Sequence, residues 1–202
     1  MALVHQVCRG DREAYWRLVQ PHSRAVLSIA RTILMSLAEA EEVAQEAILR
    51  GLSNIQGFRG QVKFSTWLIQ ITINEARNRL RQDRRQDLSQ SLDERQTEHG
   101  NGYVPRDFTD WREIPSAALA RKGVRDALQQ ALASLSQNCR EVFALRDIAH
   151  LSIEETAQVL GLAVRIVKTR LLTARLQMRD ALAPGFNSSW LKGKGEYQKA
   201  GT

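Results

Sequence analysis

Residues Phe64 to Arg85 read FSTWLIQITINEARNRLRQDRR, and this stretch decides the fold. The pattern predicts one helix with two tasks. Its first half carries Trp67, Leu68, Ile71 and Ile73, enough apolar surface to fix it in a core. Its second half carries Arg77, Arg79, Arg81, Arg84 and Arg85, with Asn74 and Asn78 among them. Arg77, Arg81, Arg84 and Arg85 recur at helical intervals and can share a face. A buried start and a basic end suit a helix that holds a phosphate track. A solvated Arg-rich surface helix fits this segment alone about as well.

Upstream lies the loop GFRGQVK, residues 57–63. Gly57 and Gly60 permit turns there. Phe58 and Arg59 between them are expected as an exposed pair for stacking and phosphate binding, and Ser65 or Thr66 as the cap of the helix that follows. An aromatic loop beside an Arg/Asn-rich helix could hold an unstacked base, and stacking is worth roughly 1–3 kcal/mol per base. Before it, residues 38–56 form a helix whose buried stripe is Val43, Ala47, Ile48, Leu52 and Ile55. Its acids Glu39, Glu42 and Glu46, with Gln45 and Arg50, either stabilise the helix start or form a docking face for a basic partner; periodicity favours the former. Residues 11–34 read as helix from an Asp11 cap, kinked or divided at Pro21.

Downstream, residues 86–117 lose helical periodicity and turn acidic, punctuated by Gly100, Gly102, Pro105 and Pro115. A loop this long argues for a linker between two domains. Residues 118–135 and 137–148 are helices, the second capped by Ser136. Ser152 with Glu155 is a capping-box pattern, and Gly161 a C-cap. A further helix runs from Val164 to about Leu182, where Pro184 and Gly185 stop it. A short helix, a glycine turn and a basic second helix are the grammar of a helix-turn-helix. The tail, with Lys192, Lys194, Lys199, Trp190 and Tyr197, is left undecided.

The chain has 202 residues and a net charge of +7, which fits one domain or two small ones and a polyanionic partner. Cys8 and Cys139 are its only cysteines; they imply no disulfide framework and fit a reducing compartment. His5 and Cys8 make half a zinc site at most, so no metal and no cofactor are expected. No apolar run reaches the length of a membrane span, and no signal peptide is seen, so the expected place is the cytoplasm.

In their order these features resemble the extracytoplasmic-function (ECF) group of bacterial RNA polymerase sigma factors. AEAEEVAQEAILRGL resembles the family's core-polymerase-binding segment, FRGQVKFSTWLIQITINEARNRLR its promoter-melting segment, and SLSQNCREVFALRDIAHLSIEETAQVLGLAVRIVKTRLLTAR its upstream-element helix-turn-helix. The resemblance implies an all-α chain of two small helical domains joined by an acidic flexible linker, the second a winged-helix-like four-helix DNA-binding domain. The expected divisions are 1–86, linker 87–117, 118–183 and tail 184–202. Glu41, Glu42, Gln45, Glu46 and Arg50 would dock a coiled coil of core RNA polymerase. Phe58, Arg59, Lys63, Phe64, Thr66, Trp67, Asn74, Arg77, Asn78 and Arg81 would bind the minus-ten strand, with at least one base flipped. The linker would thread toward the active-site cleft, its acidity mimicking RNA. Arg165, Lys168, Thr169, Arg170, Thr173 and Arg175 would address minus-thirty-five duplex DNA. The family usually has a serine cap where Ala163 stands, Gly-Thr where Arg165 and Ile166 stand, and an Arg where Thr173 stands. The implied partners are core polymerase, promoter DNA and, as is common in the family, an anti-sigma factor.

Two other classes compete. A stand-alone helix-turn-helix regulator would bind duplex without polymerase, usually as a dimer, and would leave Thr66-Trp67-Leu68 and the basic helix without a task. An enzyme acting on nucleic acid would need a P-loop, a metal cluster or a nucleophile motif, and the chain has none that can be recognised.

Overall fold

The computed structural model describes residues 2–90 and 122–186, all helices and turns with no strand among them. Most of the expected tail and most of the expected linker lie outside the described residues. The helices are α1 (Ala2–Cys8), α2 (Arg12–Val19), α3 (Ser23–Leu34), α4 (Leu37–Ser53), α5 (Phe64–Gln90), α6 (Lys122–Ser134), α7 (Gln137–Phe143), α8 (Ile153–Leu160) and α9 (Val164–Phe186). Three departures from the sequence reading matter. Residues 2–8 form a helix that was not foreseen, and α5 runs on to Gln90 into the expected linker. The helix α9 passes Pro184, which deprives the turn of one donor without ending it.

Pro21 divides the 11–34 segment by way of a short 3₁₀ turn, Gln20–His22. Asp11 caps α2, its carboxylate accepting from Ala14 N at 2.9 Å. Met35, in the left-handed conformation, ends α3, and Ser36 caps α4 at once. A two-residue connection this short forces α3 and α4 to lie side by side. With α5 they enclose Ile29, Ile33, Val43, Ile69 and Ile73. A second cluster ties α1 and α2 to α4 and α5 through Val4, Val7, Tyr15, Val19 and Leu68.

At Gly51 the space is filled by Tyr15, whose hydroxyl donates to the Ile48 carbonyl. Burial pushes that phenol up to about 12. A Cβ on Gly51 would stand 2.6 Å from the Tyr15 hydroxyl and 3.2 Å from Leu68 Cδ1.

In the second half, α6, α7 and α9 close around Leu135, Phe143, Ala174 and Met178. The expected 137–148 helix loosens into a π-helical stretch, Ala144–Ile148, and His150 then turns the chain with φ of 56°. The Ser152 capping box forms in full: the Glu155 N–H donates to Ser152 Oγ at 3.0 Å, and the Ser152 N–H donates to Glu155 Oε2 at 2.8 Å. Gly161, with φ of 67°, makes the turn into α9.

Two tests follow from this packing. Gly51→Ala should lower unfolding free energy by about 1–3 kcal/mol through overpacking. Tyr15→Phe removes the atom that the new methyl strikes, so urea melts of the double variant should show a penalty well below the sum of the single ones. The second test is acid titration. The Ser152 backbone N–H holds the Glu155 carboxyl below its ordinary value, with Lys63 contributing less. The folded value is depressed, so this stabilisation is present above the ordinary carboxylate range and is lost as pH falls through the lowered value. Glu155→Gln should therefore flatten the acid limb of a stability–pH curve measured by thermal melts.

Candidate nucleic-acid interface

Between α4 and α5 runs an open groove of about 510 Å³. From α4 it receives Glu42, Val43, Glu46 and Arg50, and from α5 Glu75, Asn78, Arg79, Arg81, Gln82 and Arg85. Its walls are cross-linked by charge. Arg50 reaches Glu46 at 2.8 Å and Glu75 at 2.9 Å. Arg79 pairs with Glu42 at 3.0 Å. Glu75 is 8 % exposed; it sits at the groove floor and holds Arg50 across the helix pair. The sequence reading did not single it out. The five expected docking residues divide: Glu42, Glu46 and Arg50 line the groove, while Glu41 and Gln45 face solvent on the outer side of α4.

The 57–63 loop differs from expectation. Phe58 is not a free stacking platform. Its ring lies edge-on to Phe64 at 5.8 Å and tilted against Trp67 at 5.3 Å, and Phe64 meets Trp67 at 5.7 Å. His22 joins at 5.9 Å from Phe64, and burial lowers its pKa. Apolar rings close together gain more by covering one another than by facing water. Helix α5 begins at Phe64, so Ser65 and Thr66 lie inside its first turn and do not cap it. Thr66 is 2 % exposed and its hydroxyl has no hydrogen-bond partner. It faces inward, away from any strand on the surface. Arg59 and Lys63 are exposed, as is Asn74, about two turns beyond Trp67.

The arginines of α5 do not share one face. Arg81 and Arg85 turn toward the α4 groove, with Asn78 accepting from the Arg81 guanidinium. Arg77 and Arg84 turn to the second domain. Arg77 makes a two-pronged pair with Glu141, Nε to Oε1 at 3.1 Å and Nη2 to Oε2 at 2.6 Å. Arg84 donates to Gln137 Oε1 at 2.8 Å. The stripe covers enough of the helix circumference for its edges to meet different neighbours. Glu141 is 1 % exposed. Its signal in the sequence was a lone acid in register with Leu145 and Ile148, on the buried side of its helix.

On α9, Val167, Leu171 and Ala174 are buried, and the opposite stripe of Val164, Arg165, Lys168, Thr169 and Leu172 is exposed. Leu172, which was not singled out for DNA contact, is 60 % exposed. Thr169 back-bonds to the Arg165 carbonyl at 3.0 Å. Thr173 is half-buried. Arg170 leans back onto α7, donating to Asn138 Oδ1 at 3.3 Å. Arg175 grips Asp147 with two bonds of 2.7 and 3.2 Å. The helix start has no side-chain cap, because Ala163 offers only its carbonyl, to Ile166 and Val167.

The Arg175–Asp147 geometry gives a testable outcome. Arg175→Ala leaves a nearly buried carboxylate without its partner, and should cost roughly 1.5–3 kcal/mol in urea unfolding. Lys168→Ala, on the open stripe, should leave the unfolding curve within about 0.5 kcal/mol.

Comparison with known proteins gives this geometry its family. The sigma-70 region 2 model matches residues 18–86, and the sigma-70 region 4 model matches residues 125–178. The RNA polymerase sigma-H factor of Pseudomonas aeruginosa is 31 % identical over 183 residues, covering 90 % of this chain and 93 % of that protein. The ECF RNA polymerase sigma factor SigW of Bacillus subtilis is 30 % identical over 181 residues, 89 % of this chain and 94 % of that one. The structure of the Bartonella quintana sigma factor RpoE with the anti-sigma factor NepR shares the fold, with a TM-score of 0.62 at 21 % identity over 83 % of this chain and 95 % of that one. Two domains in this order, with relatives aligned along nearly their whole length, place the chain in the ECF group of the sigma-70 family, whose members are promoter-directing subunits of RNA polymerase and not enzymes.

Proposed function

We propose that the α4–α5 groove docks on core RNA polymerase, that the loop before α5 and the adjoining face of α5 capture the minus-ten strand, and that α9 reads minus-thirty-five duplex. The observation that carries this reading is the divided surface of α9. Its buried stripe anchors it, and its exposed stripe presents two cations, a hydroxyl and two apolar side chains along one side, the mixture that major-groove edges and phosphates require. Within that stripe Arg165, Lys168 and Thr169 are the contacts. Arg170 and Arg175 orient the helix from behind, and Thr173 stands at its margin.

For the minus-ten strand, Arg59, Lys63, Asn74 and Arg81 are the exposed members of the expected set, Arg81 on the side of the α4 groove. Phe58, Phe64 and Trp67 form a rigid aromatic floor, and a flipped base would rest against its rim. On the polymerase side, Glu42, Glu46 and Arg50 offer a groove already organised by ion pairs. A sigma factor among the structural neighbours is held by an anti-sigma factor, and a partner of that kind is proposed here too. No helix among the described residues is long and apolar enough to cross a membrane, and action in the cytoplasm, beside polymerase and DNA, is part of this proposal.

Run-off transcription with bacterial core polymerase and a library of promoter fragments tests the proposal. Transcripts that require the chain and share two spaced upstream motifs are the expected result. Their absence with active polymerase from a closely related host, together with tight polymerase-free duplex binding, would move the assignment to a stand-alone regulator. Lys168→Ala should weaken promoter binding by the holoenzyme across sequences and lower the salt slope by about one phosphate contact.

A further inference from the structure

Helix α9 is open to solvent over only part of its length. From Thr173 to Asp180 no residue is exposed. The open strip consists of Val164, Arg165, Lys168, Thr169 and Leu172, and Leu172 ends it. At 1.5 Å per residue the strip is roughly 12 Å long, about the width of a major groove. An exposed leucine is ordinary by itself, so the position of Leu172 carries the weight. With 3.6 residues per turn it lies within about 20° of Arg165, two turns back. That puts it on the midline of the strip, with Val164 and Lys168 to one side and Thr169 to the other. The helix is held in this orientation by buried Val167, Leu171 and Ala174, and by Arg170 on Asn138 and Arg175 on Asp147. A midline side chain on a helix fixed this way meets whatever the helix is laid against.

The chemistry of the strip is divided. Arg165 and Lys168 bring donors, which phosphates and purine acceptors take. Thr169 has its hydroxyl proton engaged at the Arg165 carbonyl, 3.0 Å away. Leu172, 60 % exposed, has neither donor nor acceptor. Pressed against a polar base edge it would leave that edge unpaired and dry, which is costly. Pressed against a methyl group it removes apolar surface from water on both sides. Among the base edges of the major groove, the apolar group is the C5 methyl of thymine. An apolar protein surface is the poorer occupant, because covering the strip would also strip water from Arg165 and Lys168 without supplying anions. Duplex DNA supplies both the methyl and the phosphates.

We propose that Leu172 is a specificity-determining residue of the upstream site: its side chain packs on the C5 methyl of a thymine in the minus-thirty-five duplex, so that the chain selects a T·A pair there by apolar contact. The inference rests on the reading of α9 as the minus-thirty-five helix. It divides the work of that helix. Arg165 and Lys168 supply attraction that many sequences satisfy, and Leu172 supplies a choice between base pairs at one position.

The test uses holoenzyme assembled from the full chain and core polymerase, with a promoter library randomised across the upstream element. Bound duplexes are sequenced. Deoxyuridine then replaces each thymine of the enriched motif in turn, on either strand, a change that removes one methyl and leaves the pairing intact. At one position the parent should lose about fourfold in affinity, the effect of withdrawing one methyl from an apolar contact. Leu172→Ala holoenzyme should bind the thymine and uracil duplexes alike at that position. The substitution changes an exposed side chain, and thermal melts check that the variant is folded. An enriched motif without thymine, a parent indifferent to uracil everywhere, or an equal uracil penalty in Leu172→Ala would each overturn the inference. So would Leu172→Ala that assembles poorly with core polymerase without DNA and keeps the parent's uracil profile, since the leucine would then cover protein. Lys168→Ala in parallel separates this inference from the reading beneath it. An unchanged salt dependence in that variant would remove α9 from the duplex altogether, whereas a lowered one without any methyl effect would sink the role of Leu172 alone.

Discussion

A 27-residue helix has more circumference than one small domain can cover, and the rest of this structure is arranged around that constraint on α5. Its apolar side, with Leu68, Ile69, Ile73 and Ala76, is buried. Its flank beside α4 becomes one wall of a charged groove. The remaining edge, with Arg77 and Arg84, meets the second domain. Each neighbour takes a sector of the helix, and the periodicity of 3.6 residues per turn decides which side chains fall in which sector.

Charge here organises surfaces more than it stabilises them. Exposed ion pairs such as Arg50–Glu46 contribute little to folding, because water screens them. In the groove they hold long side chains in place, which would reduce the ordering cost of the proposed docking. The Arg77–Glu141 pair is of another kind. Glu141 is almost wholly buried, and a buried carboxylate without a cation is strongly unfavourable. The same logic separates the arginines of α9. Those fixed to Asn138 and Asp147 define where the helix sits, and Arg165 and Lys168 project from it.

Much of this was legible from residue order. Ser152, Glu155 and Gly161 specify a helix start and a left-handed stop by local chemistry alone, and both appear as read. Asp11 and Pro21 did the same for the first helices. The apolar periods placed Val43, Ile73, Val142 and Val167 in cores, where they are. Local signals are reliable when the partners involved lie within one turn, because no distant contact can reassign them. The loop at Phe58 was misread for the complementary reason. An aromatic between two glycines looks exposed in one dimension, and only the approach of Phe64 and Trp67 covers it.

The sequence by itself therefore determined most of the helices, the caps at Asp11, Ser136 and Ser152, the helix-turn-helix and the basic character of α5, since each depends on spacing and on side chains no more than four residues apart. Only the tertiary structure decided which arginines are available and which are engaged. Arg77 and Glu141 are 64 residues apart, and Arg175 and Asp147 are 28 apart. No local pattern announces such pairs. They exist because apolar packing between α3, α5 and α7 first brings the helices together, and the charges then find the partners that burial leaves within reach.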